Sequence, residues 1–269
     1  MNALAAAPRN DGRYDSNLRS SYTMMLKALT VLPDADALAQ AAAQRIVRNQ
    51  AQGNEQLAVC LSGGSTPLRV YRLLADEPFR STVAWDRVHW FWGDERFVPK
   101  DDPRSNSGEA RRSFLDRVPA PAANIHPIPT SATDETQAAS LYEAELRKFY
   151  GSDRIDPTRP LFDIVLMGLG GDGHTASLFP GHPQLDETAR WVAGVANSTM
   201  EPFVPRVTLT FPVLASTKDM LFLVSGQGKR EILARVAAGE DLPAARAYSH
   251  GDLVWLVDRD AAPEDRGVA

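Results

Sequence analysis

Phe162-Asp163-Ile164-Val165-Leu166-Met167 runs straight into Gly168-Leu169-Gly170-Gly171-Asp172-Gly173-His174-Thr175-Ala176-Ser177-Leu178-Phe179-Pro180-Gly181, and this stretch decides the fold. The first six residues are mostly aliphatic and of strand length. A short, nearly continuous apolar run of this kind suits a strand buried on both faces, as in a parallel sheet. The glycines that follow end the strand and open a polar turn at its carboxyl end, which is where sheets of this type bind ligands.

Working outward, similar apolar runs recur at Ala58–Leu61, Val88–Trp92, Val207–Phe211, Met220–Val224 and Leu253–Val257. Helical patterns lie between them. Leu38, Ala41, Ala42, Ile46 and Val47 share one helical face, with Gly53 past its end. Ala138, Leu141, Tyr142, Leu146 and Phe149 form a second face, with Ser131 or Thr133 as N-cap and Gly151 as stop. Ile232, Leu233, Val236 and Ala237 form a third, ended by Gly239. Strands alternating with helices predict an α/β fold, a three-layer α/β/α sandwich around a mostly parallel, Rossmann-like sheet. With 269 residues and 43% hydrophobic content, the chain can bury a substantial core. Residues 1–25 read as a flexible N-terminal extension, and 26–269 as one catalytic α/β domain.

The charge balance narrows the function classes. Twenty-nine basic and 34 acidic residues leave a net charge of −5. Such a chain has no overall field for nucleic acid or an anionic membrane, although local groups can still hold a phosphate. No apolar run is long enough for a transmembrane helix. The start of the chain lacks the form of a secretory signal. Cys60 is the single cysteine, so no internal disulfide forms, which fits a cytoplasmic protein.

Three polar, glycine-containing segments follow strands directly. The first, Ser62-Gly63-Gly64-Ser65-Thr66-Pro67, lets backbone approach a ligand. Pro67 suits the first turn of a helix that Ser65 or Thr66 can cap, and the free N–H groups of a helix start favour an anion. The same residues also describe an ordinary tight turn before a capped helix. The segment is not a Walker loop, because no Gly-Lys-Ser/Thr follows, and Pro67 rules out a nucleophile elbow.

The second segment is Trp92-Gly93-Asp94-Glu95-Arg96. Arg96 can clamp a phosphate or carboxylate, and Asp94 and Glu95 can hold that guanidinium or bind sugar hydroxyls. A charged loop with an internal ion pair is the simpler reading. Ser105-Asn106 reads as the cap of a helix whose face is Ala110, Phe114, Leu115 and Val118.

The third segment is the glycine-rich turn at 168–181. Gly168, Gly170 and Gly173 satisfy G-x-G-x-x-G in form, but no acidic residue follows at the spacing a dinucleotide fold needs. His174 carries more information. A histidine in a strand-end turn, with Asp172 two residues before it, can meet a ligand and exchange protons near neutral pH. His89, His126, His182 and His250 show no metal-ligand spacing, so neither a metal nor a cofactor is expected. Arg206, and Lys229 after the turn Ser225-Gly226-Gln227-Gly228, are further cations that can reach an anion or remain solvated.

Taken together, SGGSTP at 62–67, GDER at 93–96, SN at 105–106, GLGGDGHTASLFPG at 168–181, the strand from Arg206 and the turn to Lys229 resemble the 6-phosphogluconolactonase family. That family shares its superfamily with glucosamine-6-phosphate isomerases and deaminases. Arg96 in place of a tyrosine, and the residues after His174, point to the lactonase branch. The resemblance implies hydrolysis of a phosphorylated sugar lactone in the pentose phosphate pathway. His174 would be the general base, oriented by Asp172, with backbone N–H groups near Gly171 to Gly173 serving the oxyanion. Gly63, Gly64, Ser65, Thr66, Asp94, Arg96, Gly173, Arg206 and Lys229 would bind substrate. The competing expectations are a sugar-phosphate isomerase or deaminase on the same scaffold, and a non-catalytic sugar-phosphate sensor. Oligomeric state is not legible.

Overall fold

A computed structural model describes residues 28–51 and 56–263. The expected N-terminal extension and Gly53 lie outside these residues. Nine strands are present among the described residues: β1 (Leu29–Leu32), β2 (Leu57–Leu61), β3 (Val88–Trp92), β4 (Asp94–Arg96), β5 (Phe162–Met167), β6 (Val192–Val195), β7 (Arg206–Leu209), β8 (Thr217–Val224) and β9 (Asp252–Asp258). The principal helices are α1 (Ala35–Ala51), α2 (Ser65–Leu74), α3 (Asn106–Ser113), α4 (Glu135–Tyr150) and α5 (Arg230–Ala237).

Six strands form a parallel sheet in the order β1-β9-β8-β5-β2-β3. β5 lies inside it, and all six of its residues are buried, as its apolar run requires. Asp163 is the one charge in that strand. It is compensated by the Ala58 N–H at 2.8 Å and Lys218 Nζ at 2.7 Å, because a carboxylate leaves water only when such partners replace it.

Adjacent residues of β3 show that both faces of the sheet are covered, since successive side chains of a strand point to opposite faces. Trp90 packs on Trp85 and Phe114, at 6.0 and 5.1 Å between ring centroids, and Phe114 stacks on Tyr71 of α2. Its neighbour Phe91 packs on His126 at 4.4 Å and on Phe149 of α4 at 4.8 Å. Helices on both faces of a parallel sheet make the three-layer sandwich that the alternating pattern predicts. Each fully buried aromatic contributes roughly 1.5–3 kcal/mol of transfer free energy.

The remaining strands form a small antiparallel sheet, β4-β7-β6. This corrects the reading of Val207–Phe211 as a strand of the main sheet: β7 ends at Leu209 and pairs only with β4 and β6. Two capping expectations also change, and a third holds. α4 is capped by Asp134, which accepts from the Gln137 N–H at 2.7 Å while Gln137 Oε1 accepts from the Thr133 N–H. Neither Ser131 nor Thr133 caps it. Leu141 lies on its exposed side. α2 is preceded by Gly64 with no side-chain cap, so Ser65 and Thr66 are its first residues. Ser105 does cap α3, accepting from the Gly108 N–H at 3.0 Å. That helix stops at Ser113, however, leaving Phe114, Leu115 and Val118 beyond its end.

The topology sets the site. From β2 the chain moves outward to β3 and later returns to β5 on the other side of β2. The strand order therefore reverses between β2 and β5, and a crevice opens there beyond their carboxyl ends.

Candidate active site

A pocket of about 260 Å³ occupies that crevice. Its walls come from the segments after β2, β3, β5 and β8 and from the loop before β7.

His174 lines the pocket. Its Nδ1 is 2.5 Å from Asp172 Oδ1, and the same oxygen accepts the His174 N–H at 3.0 Å. A carboxylate on Nδ1 fixes the proton there and leaves Nε2 as the free lone pair. The ring also packs on Phe179, 4.7 Å between centroids. Gly170 makes room for it: a Cβ at that position would sit 2.0 Å from Nδ1. Burial pushes the Asp172 carboxyl up, but its hydrogen bond and charge interaction with His174 outweigh this and hold it below the ordinary range.

The turn is tied down on either side. Thr175 Oγ1 donates to the Gly168 carbonyl at 2.8 Å, and Ser177 Oγ donates to Asp94 Oδ2 at 2.7 Å. Asp94 is buried, yet it reaches the pocket.

Three cations converge on the pocket: Arg96, Arg206 and Lys229. Arg96 and Arg206 are register partners across β4 and β7. Arg96 Nη1 donates to the Arg104 carbonyl at 2.7 Å, and Arg206 Nη2 donates to the Pro202 carbonyl at 3.0 Å. The Nε of each is buried without a partner. Among the described residues, none of the three cations forms an ion pair with a carboxylate. Burial pulls Arg206 and Lys229 down from their ordinary values, while Asp94 and Asp172 respectively push back. Cations that line one pocket without carboxylate ion pairs favour the binding of an anion.

Gly63 and Gly64 complete the wall at the start of α2. With no side-chain cap, the first N–H groups of that helix remain available to a ligand. Gly63 lies so close to Asn106 that a Cβ there would meet Asn106 Oδ1 at 2.1 Å.

Some of the expected residues lie outside the pocket wall. Ser65, Thr66 and Gly173 do not line the pocket. Thr66 Oγ1 pairs instead with Ser225 Oγ at 2.8 Å, linking the turns after β2 and β8. The Gly173 N–H donates to the Gly170 carbonyl at 3.1 Å, so the turn itself consumes that donor. Glu95 holds no guanidinium. Fully buried, it accepts from the N–H groups of Arg96, Asn106 and Ser107, at 2.8, 2.6 and 2.7 Å, and from Ser105 Oγ at 3.1 Å. Burial pushes its carboxyl up against the pull of those bonds.

The sequence reading missed Asn106, Met200 and Glu201, all pocket residues. Asn106 opens α3 next to its cap, and its Nδ2 donates to the Asp94 carbonyl at 3.0 Å. Met200 and Glu201 belong to a loop with no motif. His89 and His126 bond to each other at 3.0 Å, and His126 to Glu145 at 2.7 Å, outside the pocket. Among the described residues no cluster is suited to a metal, and no helix is long and apolar enough to cross a membrane.

A histidine oriented by a carboxylate and sharing its pocket with three cations that form no ion pair among the described residues, at the switch point of a parallel sheet, defines a class: α/β proteins built for a small anionic ligand. Within that class the chain belongs to the glucosamine-6-phosphate isomerases/6-phosphogluconolactonase family, whose sequence profile matches residues 33–255. It is 42% identical to a 6-phosphogluconolactonase of Synechocystis sp. over 77% of this chain and 83% of that one. It is 38% identical to a 6-phosphogluconolactonase of Nostoc sp. over 89% and 99% of the two chains. Among solved structures, the 6-phosphogluconolactonase of Thermotoga maritima superposes with a TM-score of 0.74 at 31% identity, covering 86% of this chain and 99% of that one. A monomeric glucosamine-6-phosphate deaminase, 23% identical with a TM-score of 0.72, shares the fold.

Proposed function

We propose that this chain hydrolyses 6-phospho-D-glucono-1,5-lactone to 6-phosphogluconate, in the oxidative pentose phosphate pathway, with His174 as general base. One observation carries the reading: His174, its Nδ1 held by Asp172 at 2.5 Å, shares a pocket with three cations that lack carboxylate partners. The family and its lactonase relatives supply the substrate.

His174 Nε2 takes a proton from water as the water oxygen adds to C1. The C1–O5 bond then breaks, and the proton passes to O5. Asp172 keeps the imidazole in the right tautomer and steadies the imidazolium while it exists. Arg96, Arg206 and Lys229, with Gly63 and Gly64 at the start of α2, hold the phosphate and the developing oxyanion. Asp94 accepts a sugar hydroxyl. Residues 26–269 act as one catalytic unit in the cytoplasm, a setting that suits the buried free thiol of Cys60.

The test is to generate the lactone in situ and follow its loss against the spontaneous rate. Wild type accelerates it, and His174→Ala loses roughly 10²–10⁴-fold while staying folded. Equal activity of the two would remove His174 from the role of base. A wild type at background would end the lactonase reading and turn attention to amino-sugar phosphates.

A further inference from the structure

Hydrolysis creates a charge problem in this pocket. Substrate and product carry the same phosphate, but C1 changes from a neutral ester to a carboxylate. Arg96, Arg206 and Lys229 line the pocket and therefore attract product more strongly than substrate unless something opposes the new charge.

Glu201 is placed to oppose it. It is an exposed residue on the pocket wall, and among the described residues its carboxylate makes no hydrogen bond or ion pair. The backbone on either side of it is anchored. Arg206 Nη2 donates to the Met200 carbonyl at 3.4 Å and to the Pro202 carbonyl at 3.0 Å, and it also reaches Ser198 Oγ at 3.3 Å. The guanidinium that supplies positive charge thus also pins the segment presenting Glu201. The other acids of the site are held in place, Asp94 by Ser177 and Asp172 by His174, and their charges already act on Arg206 and Lys229.

We infer that Glu201 is a specificity-determining residue that discriminates against the C1 carboxylate of the product and speeds its release. The inference rests on the lactonase reading. Glu201 and His174 line the same pocket of about 260 Å³, so a carboxylate formed at C1 shares that pocket with Glu201. In a water-like dielectric, one unit of charge at about 4–8 Å changes affinity roughly two- to fivefold.

Two open-chain ligands isolate the effect: 6-phosphogluconate, with a carboxylate at C1, and glucitol 6-phosphate, with a neutral alcohol there. Their affinities are measured by calorimetry for wild type, Glu201→Gln and Glu201→Lys. The phosphate's share cancels in the ratio. Preference for the acid over the alcohol rises roughly two- to fivefold in Glu201→Gln and again by a similar factor in Glu201→Lys. Both increments shrink at high ionic strength. A ratio that stays flat across the three proteins overturns the inference. Turnover of lactone by wild type separates the two failures: turnover with a flat ratio sinks the role of Glu201 alone, whereas no turnover sinks the lactonase reading and the release role with it.

Discussion

Space limits what His174 can do as much as its chemistry does. The imidazole lies over Gly170 so closely that a Cβ there would overlap Nδ1 at 2.0 Å. Gly170→Ala removes no titratable group but displaces the His174 ring. A displacement of about 1 Å in the general base proposed here costs around 10²-fold, so kcat falls by that order while thermal unfolding changes little. Near-normal kcat in this variant would show that the close packing on Gly170 is incidental. This part of the site was only half legible in the sequence. The turn, the histidine and its aspartate announce themselves as a strand-end motif, but the glycines all look alike there. Gly170 is needed for a side chain's approach, while Gly173 spends its N–H inside the turn. That distinction depends on coordinates.

Among the elements, the least legible was β4. Asp94-Glu95-Arg96 is a fully charged triplet, which no apolar pattern marks as a strand, and yet it pairs with β7 and is largely buried. It is stable because Glu95 satisfies the start of α3, gathering the N–H groups of Asn106 and Ser107 and the Ser105 hydroxyl. Through Glu95 the small sheet and α3 become one support, holding Arg96 and Asn106 at the pocket. Glu95→Gln swaps one acceptor oxygen for an NH₂ group that confronts backbone donors. The expected cost is about 1–3 kcal/mol in chemical denaturation, together with a higher KM, because the wall carrying Arg96 loosens. Unchanged stability would mean that solvent satisfies those donors. β6 and β1 escaped notice for a plainer reason, being four-residue strands with little pattern, whereas β3 and β5 were read to the residue.

At the scale of the whole molecule, a chain of net charge −5 gathers three cations at one crevice. The sheet's reversal between β2 and β5 supplies the place, and loops from four strands bring the groups together. That convergence is also a stability question, because the Asp172 carboxyl sits below its ordinary pKa only while the chain is folded. A carboxyl with a depressed folded-state pKa binds its proton more readily when unfolded. It therefore contributes stability that is fully present above the unfolded value, near 3.8, and is lost as pH falls through the lower folded value. Many acids contribute to acid denaturation here, so the share of this one is read from a difference. In Asp172→Asn the side-chain amide still accepts a hydrogen bond from the imidazole, but a neutral one of roughly half the strength. The difference in unfolding free energy between wild type and Asp172→Asn is about 1 kcal/mol at neutral pH. It holds steady down to pH ~4 and then shrinks as Asp172 becomes protonated in the folded state. If urea titrations across this range show a gap that does not narrow in acid, the carboxylate's charge is not what stabilises the turn, and Asp172 acts by shape alone.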